Sequence, residues 1–504
     1  MPQSYIKKIL DARVYDVARE TPIDHARLLS ARLANRVLLK REDLQPVFSF
    51  KLRGAYNKMC HLTDSERAAG VITASAGNHA QGLALAASHM GVKATIVMPR
   101  TTPAIKVDGV RSHGARVVLH GDTYDEASAH AGELMDKHGL VYVHPYDDPE
   151  VIAGQGTIGM EIVRQHPDPI EAIFVPVGGG GLLAGVAAYV KYVRPEIKLI
   201  GVEPEDAACL AAALERGRRV SLPEVGLFAD GVAVAQIGKE TFRVIRDTVD
   251  SVVTVSTDEM CAAIKDIFED TRSIAEPAGA LALAGLKKYV EREGLEGKTL
   301  LAIDSGANTN FDRLRYISER TEIGEKREIV LSVTIPERPG SFKAFCKALG
   351  KRSITEFNYR YSDRREANIF VGLKVEAGSD REQVIAPLVN KGYPVTDLTD
   401  NEMAKLHIRH MVGGPVHGSI DNEVVFRVEF PERPGALFNF LTHVGQRWNI
   451  SMFHYRSHGA AYGRVLLGLQ VDPAERGELA AALESVHYRF SEETDNVAYQ
   501  LYLS

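Results

Sequence analysis

The amino-acid sequence predicts an α/β protein of open, mostly parallel sheets, followed by two small α+β units of ferredoxin-like order. Three observations predict it. Between 33 and 308, short apolar strands alternate with helical stretches. After Asn308 the composition changes, and Pro336-Glu337-Arg338-Pro339-Gly340-Ser341-Phe342 recurs as Pro431-Glu432-Arg433-Pro434-Gly435-Ala436-Leu437. A chain of 504 residues is also too long for one ordinary domain and suggests about three.

In chain order, the strands expected in the first part are 71–73, 94–98, 116–119, 141–144, 173–177, 199–202, 251–255 and 300–304. The stretches 83–89 and 182–190 read as helices between them. In such sheets, binding sites lie at the carboxyl ends of the strands. The charged stretch 318–328 lacks apolar periodicity and reads as a connector. Beyond it, the alternating strands 329–335 and 423–430 each precede a copy of the repeat. Phe357-Asn358-Tyr359-Arg360 recurs later as Phe453-His454-Tyr455-Arg456. Strand, turn, helix, strand, strand, helix, strand fits a βαββαβ unit used twice. The domains expected are 1–320, with a smaller lobe at about 45–145, then 326–400 and 421–504.

Four segments of the first part carry chemistry. In Ser49-Phe50-Lys51-Leu52-Arg53-Gly54-Ala55, one lysine sits among Phe48, Phe50 and Leu52. Apolar neighbours favour the neutral amine, a nucleophile able to condense with an aldehyde. A surface lysine passing two phenylalanines is the plain alternative. In Ser75-Ala76-Gly77-Asn78-His79-Ala80-Gln81-Gly82, small residues before a helix present N–H groups suited to a carboxylate. An ordinary helix cap fits that segment too. Gly178-Gly179-Gly180-Gly181 lies between a buried strand and a helix, where the backbone can wrap an anion. Its spacing Gly179-x-Gly181-x-x-Ala184, with Glu203 ending the next strand, also fits a dinucleotide fingerprint. Finally, the strand 300–304 runs into Ser305-Gly306-Ala307-Asn308, which taken alone is a common strand-ending turn.

Together and in this order, the four segments resemble the fold type II (tryptophan synthase β-like) pyridoxal-phosphate enzymes, specifically the biosynthetic threonine dehydratases. The resemblance runs from Thr21-Pro22 to the C-terminus. The dinucleotide reading explains only one of the four segments and falls. The resemblance implies that Lys51 holds pyridoxal 5'-phosphate and later removes the substrate α-proton. It implies that Asn78 bonds the cofactor's phenolic oxygen, that Gly178, Gly179, Gly180, Gly181 and Leu182 cradle the phosphate, and that Ser305 meets the pyridine nitrogen. Ser75, Gly77, Asn78 and His79 would bind the substrate carboxylate, Phe50 would lie near the ring, and Glu276 of Ala275-Glu276-Pro277 would lie close by, although Glu-Pro is also a standard helix start. A serine at the ring nitrogen is a weak acid, which suits loss of the β-hydroxyl over transamination.

The activity implied is α,β-elimination of L-threonine to 2-oxobutanoate and ammonia, at the start of isoleucine biosynthesis. L-serine differs by one methyl, worth a factor of about 10–200, so it is expected to react too, and serine dehydratase is the nearest alternative. A catalytically silent amino-acid sensor is the alternative outside enzymes. Serine racemases carry a second serine where this chain has Ala76. They also have a divalent-cation site matched by Glu203 and Ala207, but Cys209 stands where a carboxylate is expected, so no metal is predicted.

The C-terminal repeat resembles paired ACT-like regulatory domains, implying isoleucine as inhibitor and valine as its opponent; modules that merely promote oligomerisation are the plain alternative. Tyr359 and Tyr455 are the effector contacts expected. His407 and His410, in the segment joining the copies, read as linker packing because no third metal ligand is spaced nearby. A net charge of −6 with interspersed signs gives no case for nucleic acid, and no run of eighteen apolar residues implies a membrane span. Cys60, Cys209, Cys261 and Cys346 are scattered, as reduced thiols would be. The segment 1–8 lacks a signal-peptide core, so the cytoplasm is expected, and the family habit suggests a homotetramer.

Overall fold

The structure is a computed structural model describing residues 3–324, 328–336, 345, 348–349, 354–360, 366–375, 381–408, 422–431, 448–456, 462–485 and 487–503. The chain divides into two compact units, Met1–Ser318 and Glu319–Ser504.

The first unit holds two sheets. The larger has the order Ile23–His25, Arg36–Arg41, Thr299–Asp304, Ala172–Pro176, Lys198–Pro204, Ser251–Val255. Only its first pair is antiparallel. Every residue of Ala172–Pro176 is buried, as a central parallel strand covered on both faces requires. The smaller sheet, Arg116–Leu119, Ala94–Met98, Val71–Ala74, Val141–Tyr142, is wholly parallel. Each lobe has its own core, around Ile173, Val175 and Leu183 in one and around Val71, Leu83 and Ile96 in the other.

Two strands of the larger sheet, Ile23–His25 and Arg36–Arg41, were not expected. The second reads Arg-Val-Leu-Leu-Lys-Arg, and its charges disguise it. Lys40 is fully buried, donating to Glu161 at 2.6 Å and to the Thr21 carbonyl at 2.5 Å. Arg53 completes the cluster, with 2.8 Å bonds to both oxygens of Glu42 and a 2.5 Å bond to Glu161. Buried charges survive there because each meets an opposite charge.

The second unit contains two antiparallel sheets, Ile354–Arg360, Glu366–Lys374, Glu328–Pro336, Val395–Asp397 and Asn449–Arg456, Tyr462–Gln470, Glu423–Pro431, Arg489–Glu492. In both, the first strand in sequence lies between the third and the fourth, which is ferredoxin-like order. The repeat extends into side-chain detail. Val330 N–H donates to Thr399 Oγ1 at 3.0 Å, and Val425 N–H to Thr494 Oγ1 at 3.1 Å. Asn401 caps helix Glu402–Leu406 as Asn496 caps Val497–Tyr502, and the two asparagines meet at 3.4 Å. A single apolar cluster, with Val330, Phe370 and Leu398 from one copy and Val425, Leu466 and Tyr499 from the other, joins the two.

The stretch 318–328, expected as a connector, begins inside helix Arg313–Gly324. Its charges do not prevent helix formation because Arg320 pairs with Glu402, at 2.9 Å. Most of the PERPG repeat (337–342 and 432–437) and His410 lie outside the described residues. Tyr359 and Tyr455 occupy equivalent strand positions, opposite Ile369 and Val465, but their side chains lie outside the description as well. Among the described residues no helix is long and apolar enough to cross a membrane.

Candidate active site

The site begins with a backbone crossing. Ser49 forms an antiparallel bridge with Gly306, and Phe50 N–H donates to the Ser305 carbonyl at 3.3 Å. Ala307 N–H donates to the Phe48 carbonyl at 2.8 Å, holding Phe48 in the left-handed region at φ 54°. A non-glycine residue there costs about 1–3 kcal/mol and needs such support. The crossing delivers Lys51, first residue of helix Lys51–Cys60, to the carboxyl end of strand Thr299–Asp304. The Lys51 ammonium lies 5.1 Å from the Phe50 ring centre. Burial lowers its pKa to about 8, against the opposing pull of Glu276.

Glu276 occupies the N-cap of helix Pro277–Glu293, yet its side chain makes no capping bond. It turns instead to Asn78, whose Nδ2 donates to Oε1. Burial first, then nearby Asp230, raises the Glu276 carboxyl to about 7. Asn78 Oδ1 accepts from Asn308 Nδ2 at 2.7 Å, and Asn308 also donates to the Val47 carbonyl at 2.7 Å. Asn78 on the smaller lobe is thereby tied to two elements of the larger.

Asn78 opens helix Asn78–Met90, with Gly77 as its N-cap and Ser75 at the end of the preceding strand's turn. His79 is buried, and its Nε2 pairs with the Val143 carbonyl at 2.9 Å. Burial lowers its pKa to about 3, so it is a neutral imidazole anchoring the loop and carries no charge for a carboxylate. Ser305 is buried, and its hydroxyl donates to the Ala278 carbonyl at 3.3 Å.

The glycine loop precedes helix Gly181–Val193, whose first backbone bond runs from Ala184 N–H to the Gly180 carbonyl at 2.9 Å. The earlier N–H groups have no preceding turn to bond to, as at any helix start. Gly180 sits at φ +90°, and a Cβ on Gly179 would stand 2.2 Å from the Tyr146 ring. Tyr146 therefore walls the loop, and only glycine fits beside it.

The sequence reading named Asn308 within its motif without a role, and it missed Tyr146 and a charged group at the cleft. Lys106 Nζ meets Asp230 Oδ2 at 2.5 Å, and Arg313 Nη1 meets Asp230 Oδ1 at 3.3 Å. Burial opposes ionisation of Asp230, but Lys106 and Arg313 outweigh it and hold the carboxyl well below its ordinary range. No short motif surrounds these residues, which lie far apart in the chain. Glu203 accepts from the N–H groups of Leu210 and Ala211 at 2.8 and 2.9 Å, capping helix Cys209–Glu215.

Residues 14–306 match the family model described as "Pyridoxal-phosphate dependent enzyme". Residues 319–408 and 416–503 match "C-terminal regulatory domain of Threonine dehydratase". A biosynthetic L-threonine dehydratase of Burkholderia multivorans is 58% identical over 503 residues, covering 99% of both chains. Its Escherichia coli counterpart is 53% identical over 502 residues, covering 99% of this chain and 97% of that one. The solved structure of processed threonine deaminase isoform 2 from Solanum lycopersicum aligns with TM-score 0.62 and 52% identity, over 63% of this chain and 93% of that one. The chain belongs to the pyridoxal-phosphate-dependent enzymes, in the branch that carries the threonine dehydratase regulatory region.

Proposed function

We propose that the chain converts L-threonine to 2-oxobutanoate and ammonia, as the first committed step toward isoleucine. The observation that carries the reading is the bridge between Ser49 and Gly306, which joins the Lys51 segment to the Ser305 backbone and leaves the desolvated Lys51 amine within the field of Glu276. The residues fit pyridoxal phosphate. An amine at about 8 keeps roughly a tenth of its population neutral at pH 7, far more than an ordinary lysine, the 178–182 loop offers N–H groups to a phosphate, and Ser305 offers a neutral hydroxyl to a ring nitrogen. When bound, the cofactor supplies an electron sink for the charge left at the substrate α-carbon.

This chain's residues do the rest. Lys51 would take the substrate α-proton as general base. The 75–79 loop holds the substrate carboxylate at a helix start, with His79 fixing the loop from below. Asn78 keeps one amide hydrogen beyond its bond to Glu276, free for the cofactor's phenolic oxygen. Glu276, near half protonation at neutral pH, holds Asn78 and keeps a carboxyl proton in the cleft. Phe50 shields Lys51 from water.

The second unit is proposed to bind isoleucine as inhibitor and valine as its opponent, with Tyr359 and Tyr455 as contacts. A homotetramer in the cytoplasm is the assembly expected, with L-serine as a second substrate. The purified chain, given L-threonine, should release 2-oxobutanoate and ammonia in equal amounts. Ammonia without keto acid, or neither, would overturn the reading.

A further inference from the structure

Lys106 stands on helix Ala104–Ser112, which follows strand Ala94–Met98 of the smaller sheet. Asp230 opens the turn Asp230–Val232, in the connection between strands Lys198–Pro204 and Ser251–Val255 of the larger one. Their 2.5 Å ion pair therefore crosses the cleft. Lys106 is only 8% exposed, and burying an ammonium is costly unless a partner compensates it. The two ends differ in rigidity. Arg313 holds Asp230 and also bonds the Phe228 and Leu227 carbonyls at 3.0 and 3.3 Å, whereas Lys106 reaches across on a flexible stem.

The pair also touches the candidate site at both ends. A Cβ on Gly77 would stand 3.9 Å from Lys106 Nζ, beside the loop assigned to the substrate carboxylate. A Cβ on Gly231, next to Asp230, would stand 3.6 Å from Glu276 Oε1 and 3.8 Å from Asn78 Nδ2.

We propose that Lys106 and Asp230 form a latch across the cleft that sets the 75–78 loop over the substrate carboxylate, with Lys106 a positioning residue for the reaction. The latch rests on the reading of this cleft as the threonine site. Opening it loosens substrate binding and leaves the proton transfer at Lys51 intact, so the loss falls on KM.

The test is steady-state kinetics with L-threonine on the full-length holoenzyme and its K106M, K106R, D230N and K106M/D230N variants, with the bound-cofactor absorbance recorded for each. K106M and D230N should each raise KM about tenfold while kcat falls by less than about threefold. K106R should stay within about threefold of the parent, and the double variant should be no worse than D230N alone, since D230N already removes the Lys106 contact together with the Arg313 one. Unchanged KM in D230N, or single effects that multiply in the double variant, would overturn the latch. If K106M fails to retain cofactor, D230N and K106R decide the matter. A parent enzyme that leaves threonine untouched would fail the proposed function itself, and the latch would fall with it.

Discussion

Lys51 and Glu276 share one desolvated pocket, and burial moves their pKa values toward each other, the amine down to about 8 and the carboxyl up to about 7. Two groups that titrate close to neutrality in one cleft suit proton transfer at physiological pH. The carboxyl also has a stability consequence. Its folded value lies above the ordinary 4.5, so the folded state holds the proton more tightly than the unfolded chain. Burial of Glu276 is therefore tolerated below about pH 4.5 and weighs increasingly against the fold as pH rises to 7, by up to about 3 kcal/mol. E276Q should then melt higher than the parent at pH 8 and nearly level with it at pH 5, in thermal unfolding at both values. A difference independent of pH would mean that Glu276 is ionised in the fold throughout.

At the scale of elements, the glycine loop and the buried strand behave differently under substitution. G179A places a methyl group against the Tyr146 ring, at 2.2 Å, so the loop must shift. The variant should fold but lose cofactor on desalting, seen as falling visible absorbance at constant protein; full retention would show that the loop is not the phosphate cradle. K40M leaves Glu161 with Arg53 and the Tyr15 hydroxyl and removes the bond to the Thr21 carbonyl, a loss of about 3 kcal/mol on the scale of broken buried pairs. Denaturant unfolding should register it, and an unchanged midpoint would mean that the cluster is not cooperative.

These elements also mark what was legible in the sequence. Thr299–Asp304 announces itself through Leu300-Leu301-Ala302-Ile303, and the strand-to-glycine-to-helix turn at 176–182 is equally plain. Arg36–Arg41 is hidden because Lys40 meets Glu161 and Arg41 meets Ser273, partners contributed by distant segments that local pattern cannot foresee. The latch residues Lys106, Asp230 and Arg313 are hidden for the same reason. His79 was legible as a loop residue, but its tie to the Val143 carbonyl was not.

At the scale of the whole molecule, a catalytic unit and a duplicated regulatory unit occupy one chain. The two regulatory copies share an apolar cluster and repeat each other's hydrogen bonds, so a ligand ordering one copy has a packed route to the other. Regulation requires that an effector bind two states of the enzyme unequally. Isoleucine should therefore raise the threonine concentration needed for half-maximal rate, by roughly 5–150-fold for a coupling of ordinary size. Valine should reverse the shift, and rates indifferent to isoleucine would make the repeat structural or tuned to another ligand. The most direct test of the central claim compares the parent with K51A, both supplied with pyridoxal phosphate and L-threonine. The account predicts that 2-oxobutanoate formation falls by about 10³-fold or more in K51A, the upper range for a lost general base, while the fold persists. K51A working at the parent rate would contradict it.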